Sequence, residues 1–468
     1  MVEPIGILTV LVGLACLFLG PTVSIYALIL STLLGAAAAA ILTFVGGANI
    51  PPAHVLLGFV TLLVLLDVRY FRAAVQSFVL PQPGSWLLLT VIYGAIATIF
   101  LPRIFADETN VFAIARDGQF AALALVPLRP VSGNATQMIY FIADLVCFAV
   151  IYALASDRRH TLTFAHAGIA CAIANLVFGL LDVITYNTNT TELLSFVRNA
   201  NYTMLFEAEL AGFKRIVGSF TEASAYASTT LWLLAFTGRL WLAGFRPVLT
   251  GCISALLVLA IIFATSTTGY AGFIIYLIIE YARSLRTVLL AGGSWPLMAF
   301  VTLAPLFAIL ILIVLALHEP AWATILEVVQ ITFLEKEVSQ SGIERGSWNA
   351  QGFLNVIETM GLGVGVGSTR TSSWLLAVPV SLGIPGTLTY FAFVLGVVFA
   401  KKSSNSAAAA VQGAAKGACI AQLIAAVIGG AFVDLGLPFF ICAAVAIGLQ
   451  DSRATSPAPF AFRERQYS

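Results

Sequence analysis

Residues 295–317 read WPLMAFVTLAPLFAILILIVLAL, a run of 23 residues without a charged side chain. As a helix, this run would rise about 34 Å, enough to cross the hydrocarbon core of a bilayer. Similar runs recur along the chain, in which 60% of the residues are hydrophobic and only 10% are charged. A water-soluble protein could not bury so much apolar surface, so the sequence predicts an all-α, polytopic membrane protein.

Thirteen apolar segments reach or approach spanning length, so we expect about 12–14 transmembrane helices in a single domain, residues 1–450. A short cytoplasmic tail, residues 451–468, is expected to follow this domain. No internal repeat is visible, and the net charge of +1 gives no indication of a nucleic-acid partner. The thirteen segments are 4–19, 23–47, 53–68, 85–102, 137–155, 161–185, 222–238, 247–266, 270–285, 295–317, 373–400, 411–430 and 435–450.

The distribution of Lys and Arg orients these segments in the membrane. The short connections carry most of the basic pairs, such as Arg158 and Arg159 or Lys401 and Lys402, whereas the three longest loops carry more acidic than basic residues. Because short basic loops stay in the cytoplasm, the long loops 103–136, 186–221 and 318–372 are expected to lie outside. Three polar loops on one face favour an enzyme that acts on a substrate displayed there.

The end of the second long loop is the first candidate site. Lys214 and Arg215 stand shortly before a predicted helix that opens with Glu222. One interpretation is structural, in which Thr221 caps the helix, Glu222 complements its dipole and Arg215 anchors the interface. The other is a diphosphate site, because arginine and a helix N-terminus both attract anionic oxygens.

The third long loop is the second candidate site. It contains His318, Glu344, Arg345 and Trp348, followed by alternating glycines at 361–367. The glycines either cradle a phosphate or allow close packing of the backbone against helices, and we favour packing. Trp348 either stacks on a sugar or belongs to the interfacial aromatic belt.

Several short motifs of this chain resemble those of the O-antigen ligase and Wzy-type polymerase superfamily, including exopolysaccharide polymerases. Each motif is weak alone, but they occur in the family's order across about residues 125–390. Two positions depart from the family pattern. Ala223 replaces a proline of many polymerases, and the motif that ends at Tyr270 lacks the second arginine usual in ligases. The motifs are Pro127-Leu128-Arg129-Pro130 with Asn134 and Tyr140, Arg215-x-x-Gly218-x-Phe220-x-Glu222-x-Ser224, Thr265-Ser266-Thr267-Thr268-Gly269-Tyr270, Arg345 with Trp348 and the glycines, and Leu382-Gly383-Ile384-Pro385-Gly386.

The resemblance implies a membrane glycosyltransferase with a GT-C-like architecture. Its donor would be a glycan on a polyprenyl diphosphate, and its acceptor a sugar hydroxyl of another lipid-linked unit in the outer leaflet. It also implies a bacterial inner membrane with the active site facing the periplasm, and a chain-length regulator as a further partner. The outer loops contain no Asp-x-Asp motif, so no metal or other cofactor is expected.

The candidate residues follow from this chemistry. Diphosphate is already an acidic leaving group that needs charge stabilisation, whereas the acceptor hydroxyl needs a base. Ligases of this superfamily use a loop histidine, but the surroundings of His318 do not match that motif. The candidate catalytic residues are Arg215, Arg345, Glu222 and Glu344, and the candidate substrate-binding residues are Lys214, Arg129, Trp348, Tyr270 and His318.

Two other functions remain open at this stage. A ligase would use the same donor with a different acceptor, and the missing arginine near Tyr270 argues against it. A lipid or oligosaccharide flippase would favour internal repeats and polar residues in the middle of its helices. The sequence therefore favours a repeat-unit polymerase.

Overall fold

The computed structural model describes residues 2–42, 48–117, 120–201, 204–207, 209–210, 213–317 and 340–450. The chain is mostly helical, at 73%. The α-helices in these residues are α1 (Pro4–Leu19), α2 (Pro21–Ser31), α3 (Pro52–Leu66), α4 (Val68–Gln76), α5 (Gly84–Ile104), α6 (Ser132–Ser156), α7 (Thr161–Asn187), α8 (Ala223–Leu242), α9 (Pro247–Phe263), α10 (Thr267–Ala291), α11 (Trp295–Leu317), α12 (Gln340–Glu358), α13 (Trp374–Val398), α14 (Ser406–Gly429) and α15 (Leu437–Gly448).

Five helices of the described chain are long and apolar enough to cross a membrane, namely α5, α6, α7, α13 and α14. A sixth span results if α3 and α4, which meet at an angle of 108°, are counted as one broken span. The other apolar helices, such as the 11-residue α2 and the 12-residue α15, are shorter. The chain is thus a multi-pass helical membrane protein.

The expected 12–14 spans are not borne out by helix length and composition. Each of the thirteen predicted segments contains a helix, but several are interrupted. The segment 23–47 is the clearest error, because α2 ends at Ser31 and the chain then forms a strand from Ala40. Hydroxyls explain this end, since Ser31 and Thr32 each donate to a carbonyl three residues earlier. Side chains that bind local backbone favour helix ends over helix continuation.

Prolines and capping side chains mark where many of the helices begin. Proline occupies the first turn of α1, α2, α3, α9 and α15, where its missing N–H is tolerated. Side chains cap three others, Asp67 before α4, Ser266 before α10 and Asn405 before α14. Between the helices, one apolar cluster extends from Ile25 to Leu449 and joins most of the bundle.

Each long loop contains secondary structure that hydrophobicity alone does not reveal. Loop 103–136 forms an antiparallel hairpin of β3 (Asn110–Asp117) and β4 (Phe120–Pro127). Loop 318–372 contains α12, which packs against β3 and α13. The remaining strands pair antiparallel, β1 with β2 and β5 with β6. They are β1 (Ala40–Leu42), β2 (Ala48–Ile50), β5 (Glu209–Leu210) and β6 (Phe213–Lys214).

The glycine ladder at 361–367 is a packing element. Its N–H groups are bound by protein, for example Val364 N to Val380 O at 2.8 Å and Val366 N to Thr98 Oγ1 at 3.0 Å. Gly363 has φ +90°, and a Cβ there would lie 2.6 Å from the nitrogen of Gly383. That contact occurs where α13 breaks, since Gly383 itself is non-helical with φ +60°. Because the amides of residues 361–366 are bound within the protein, they are not available to cradle a phosphate.

Gly367 offers a test of this packing. Its φ is +77°, and a Cβ there would collide with the carbonyl oxygen of Gly133. We expect Gly367→Ala to destabilise the protein by about 1–3 kcal/mol, measured as a lower melting temperature in detergent. Gly58→Ala is the matched control, because that helical glycine has nothing within 4 Å of the added Cβ. Equal melting temperatures for the two variants would contradict the packing role.

Candidate functional site

A cavity of about 420 Å³ lies where α8 begins and α14 ends. We call it the first cavity, and its volume is typical of a small-ligand site. Its walls come from α8, α10, α12, α14 and the segments 370–374 and 430–435. Its polar and aromatic lining includes Glu222, Thr268, Arg345, Trp348, Arg370 and Asp434.

Glu222 lies at the start of α8 and is exposed to the first cavity. It occupies the N-cap position with extended backbone angles, and its side chain does not cap the helix. Its carboxylate Oε1 instead accepts a hydrogen bond from Ser224 Oγ at 2.5 Å. Thr221 therefore does not cap α8, and the carboxylate remains available to a ligand.

Arg345 and Trp348 lie one turn apart on α12, so they share the helix face that lines the first cavity. Both are half-buried. The neighbouring Asn349 fixes this face, because its Oδ1 accepts from Ser372 N at 2.8 Å. The amphipathic pattern of α12 thus carries the arginine and the tryptophan to the same wall.

Arg370 is the second arginine of the first cavity. Its guanidinium carbon lies 5.6 Å from the Trp348 ring centroid and 5.7 Å from that of Phe432, both within cation–π range. Its backbone N–H donates to Phe112 O at 2.9 Å. The segment is held further by Ser373, which donates to Val427 O at 2.8 Å. Arg370 is therefore oriented before any ligand binds.

The charges of the first cavity influence one another. Burial lowers the pKa of the Arg370 guanidinium. The charge of Glu222 raises that pKa, and the charge of Arg345 lowers it further. Burial also lowers the pKa of Arg215, and Glu222 again opposes the shift. Arg215 does not line the first cavity, and its Nε donates to Thr265 Oγ1 at 3.2 Å. Glu222 thus acts on Arg370 and Arg215, while Arg345 adds a second positive charge to the cavity wall.

A buried ion network fixes the segment that leads into Glu222. Asp182, near the C-terminal end of α7, binds Arg198 at 2.5 Å and Lys214 at 3.1 Å, and all three side chains are at least 94% buried. Asp182 Oδ2 also accepts from Val217 N at 2.7 Å and Gly218 N at 3.2 Å. Lys214 is therefore bound to Asp182 and does not line the first cavity.

The other predicted site residues lie outside the first cavity. Arg129 is exposed and pairs with Asp107 at 2.9 Å. Tyr270 donates to Ile262 O at 2.6 Å. Tyr270 is also close enough to Arg215 to raise the pKa of that arginine. Glu344 is exposed on α12 and does not line the cavity, and His318 lies outside the described residues.

Asp434 is the second carboxyl in the wall of the first cavity. It lies close to Asp144 of α6, which is 1% exposed, and its Oδ1 accepts from Gly436 N. Of the two carboxyls lining the cavity, Glu222 is the one whose charge acts on the cavity arginine Arg370.

Two features of the first cavity escaped sequence reasoning, Arg370 and Asp434. Arg370 could have been found, because it follows the glycine ladder in the same long loop, 318–372, as Arg345. Asp434 was visible as an acid beside the last apolar segment, but nothing in the sequence places it next to Asp144. That proximity depends on how α6 and α15 pack.

Segments that carry the family resemblance contact one another in the structure. Gly363 packs on Gly383, and Asn134 Nδ2 donates to Val366 O at 2.8 Å. Thr265 binds Arg215, and Gly269 packs on Ala227 of α8. These contacts show that segments distant in the sequence meet in the fold. The chain matches no protein-family model, no curated protein and no solved structure.

Proposed function

We propose that the protein is a polymerase that joins lipid-linked oligosaccharide repeat units at the outer face of a bacterial inner membrane. One observation supports this most directly, the convergence of Arg345 and Arg370 with the carboxylate of Glu222 in one cavity at a helix-bundle end. Paired cations suit a diphosphate, and a nearby carboxylate suits activation of a hydroxyl. A GT-C-like architecture and a chain-length regulator belong to the same proposal.

The proposed reaction needs no metal or other cofactor. The acceptor hydroxyl oxygen bonds to the anomeric carbon of the donor glycan. The bond from that carbon to the diphosphate oxygen breaks, and its electron pair leaves with the polyprenyl diphosphate. The hydroxyl proton passes to Glu222. Most of the barrier then lies in charge development on the leaving oxygen, which fixed cations stabilise.

Each cavity residue has a distinct part in this reaction. Arg345 and Arg370 bind the diphosphate, and their guanidinium groups can do so bidentately. Trp348 holds the Arg370 guanidinium against its ring, 5.6 Å away, and leaves its remaining surface to a sugar. Arg215 interacts with Glu222 through charge from outside the cavity, so its removal is expected to have a smaller effect than removal of either cavity arginine.

Glu222→Gln tests the proton acceptor. The amide keeps the size of the side chain and an oxygen for the Ser224 hydroxyl but cannot take a proton. We expect transfer to fall about 10²–10⁴-fold, the usual contribution of a general base, with little change in donor binding. Near-normal transfer would remove Glu222 from the mechanism. Glu344→Gln is the control, because Glu344 lies on α12 outside the cavity and should leave transfer unchanged.

A ligase is the second candidate function. The sequence argued against it through the arginine missing near Tyr270, but Arg370 supplies a second arginine from another segment. The donor side of the first cavity therefore suits either enzyme. The two functions differ only in the acceptor.

Reconstitution of the purified protein in vesicles with lipid-linked repeat units separates the candidates. A polymerase yields a ladder of products that differ by one repeat unit. A ligase yields a single transfer to a different acceptor, and a flippase moves the lipid without forming a glycosidic bond. Movement without transfer would reject the proposed enzyme, and a single transfer would replace polymerase with ligase.

A further inference from the structure

A second cavity, of about 870 Å³, lies at the other end of the helices that form the first. α8 begins beside the first cavity and ends beside the second, whereas α14 runs in the opposite direction. α14 is long and apolar enough to cross a membrane, and its 24 residues rise about 36 Å. The two cavities therefore lie at opposite ends of a candidate membrane span.

Basic side chains line the second cavity. They are Arg239, Arg283, Lys402 and Lys416, and no carboxylate joins them in the wall formed by the described residues. Arg239 alone has an ion-pair partner there, with its Nη1 2.6 Å from Oε1 of Glu280. Arg283 and Lys402 make no side-chain hydrogen bond within the described part of the chain. The cavity thus carries an excess of positive charge.

The N-terminus of α14 adds to this positive field. Ser406, Ala409 and Gly413 of α14 line the cavity along one helix face, and Asn405 caps the helix by accepting from Ala408 N at 3.0 Å. A 24-residue helix concentrates partial positive charge at this end. The helix end and the four cations are independent features that favour the same ligand charge.

The wall that carries Lys402 is held in place by buried polar contacts. Gln412, 1% exposed, accepts from Ser403 N at 2.9 Å and donates to Lys401 O at 2.7 Å. Arg158 donates to Leu449 O at 2.7 Å from the neighbouring connection. Gly417 makes room for Arg239, since a Cβ there would lie 2.8 Å from Cγ of that arginine. The cavity is therefore preorganised.

We propose that the second cavity binds a phosphate-bearing anion on the face opposite the first cavity. Arginine can bind phosphate oxygens bidentately, lysine contributes point charges, and the volume exceeds that of a bare phosphate. Two sources share this chemistry, the headgroup of an anionic phospholipid and a soluble phosphate ester or diphosphate. The inference does not depend on the glycosyltransferase function.

The test uses the full chain in nanodiscs of phosphatidylcholine with inorganic pyrophosphate as probe. The parent protein for this test carries Arg345→Ala and Arg370→Ala, because those arginines line the first cavity and would bind the probe there. We expect the parent to show saturable binding by calorimetry, with affinity at least about tenfold weaker when Arg283→Gln and Lys402→Gln are added to give the glutamine variant. Adding Arg283→Lys and Lys402→Arg instead preserves the charge, and this variant should bind more tightly than the glutamine variant.

A second arm identifies the source of the phosphate. If the lipid headgroup fills the cavity, the parent protein should lose pyrophosphate binding in nanodiscs that also contain phosphatidylglycerol. In native mass spectrometry the parent should then retain the lipid and the glutamine variant should release it. Unchanged pyrophosphate binding supports a soluble ligand. Absence of binding to pyrophosphate and phosphatidylglycerol alike, or equal binding by the parent and the glutamine variant, would overturn the proposal.

Discussion

Replacement of Arg370 by alanine is expected to lower glycosyl transfer about 10²–10³-fold, the loss typical when one preorganised charge donor is removed. Arg370 is held between Trp348 and Phe432 and lines the same cavity as Arg345, so its charge is fixed where a diphosphate would depart. Arg345→Ala is expected to have an effect of the same order. The measurement is the initial rate of product formation in vesicles, normalised to folded protein.

Two further variants test whether the loss of activity is specific to the Arg370 guanidinium. Arg370→Lys keeps the charge but loses the bidentate geometry, so its activity should lie between alanine and wild type. Arg129→Ala removes an exposed arginine that pairs with Asp107 outside the first cavity, and its activity should equal that of wild type. If Arg370→Ala is as active as Arg129→Ala, the assignment of Arg370 to the diphosphate is wrong.

Replacement of Asp182 by asparagine is expected to destabilise the fold by about 3–5 kcal/mol, because two buried cations, Arg198 and Lys214, lose their counter-charge. The amide oxygen can still accept from the backbone N–H groups of Val217 and Gly218, so the substitution mainly tests charge. The measurement is the melting temperature in detergent, together with the yield of monodisperse protein.

Asp67→Asn is the matched control for this stability effect. Asp67 pairs with Arg69 at 2.8 Å, but that arginine side chain is 72% exposed and the pair is open to solvent. Exposed ion pairs contribute little, so the melting temperature should not change. Adding Arg198→Met and Lys214→Met to Asp182→Asn should recover part of the lost stability, since it removes the uncompensated cations. Failure to recover any would argue against the electrostatic explanation.

The fold class could be predicted from composition, but the number of spans could not. Long apolar runs such as α5 and α6 are predicted as spans from the sequence, and in the structure they form helices long and apolar enough to cross a membrane. The segment 23–47 does not, because hydrophobicity averages over the hydroxyls of Ser31 and Thr32 that end α2. α8 and α10 also contain polar residues, and whether these face lipid or another helix depends on packing.

The residues of the candidate site were likewise predicted only in part from the sequence. Glu222, Arg345 and Trp348 were found because loops on one face of a membrane protein carry few such residues, and all three line the first cavity. Lys214 is next to Arg215 in the sequence, but in the structure its side chain binds Asp182, 32 residues earlier. Such a partner is set by how α7 meets the loop, and single-sequence patterns do not contain that information.

In the proposed mechanism, the first cavity drives glycosidic bond formation by stabilising a departing polyprenyl diphosphate. The most direct test uses purified protein and lipid-linked repeat units in vesicles, and it counts both the glycosidic bonds formed and the polyprenyl diphosphate released. The expected result is one polyprenyl diphosphate released for each glycosidic bond formed, with both products lost together in Arg345→Ala and Arg370→Ala. Bond formation that persists at the wild-type rate in both variants, or bond formation without release of polyprenyl diphosphate, would contradict it.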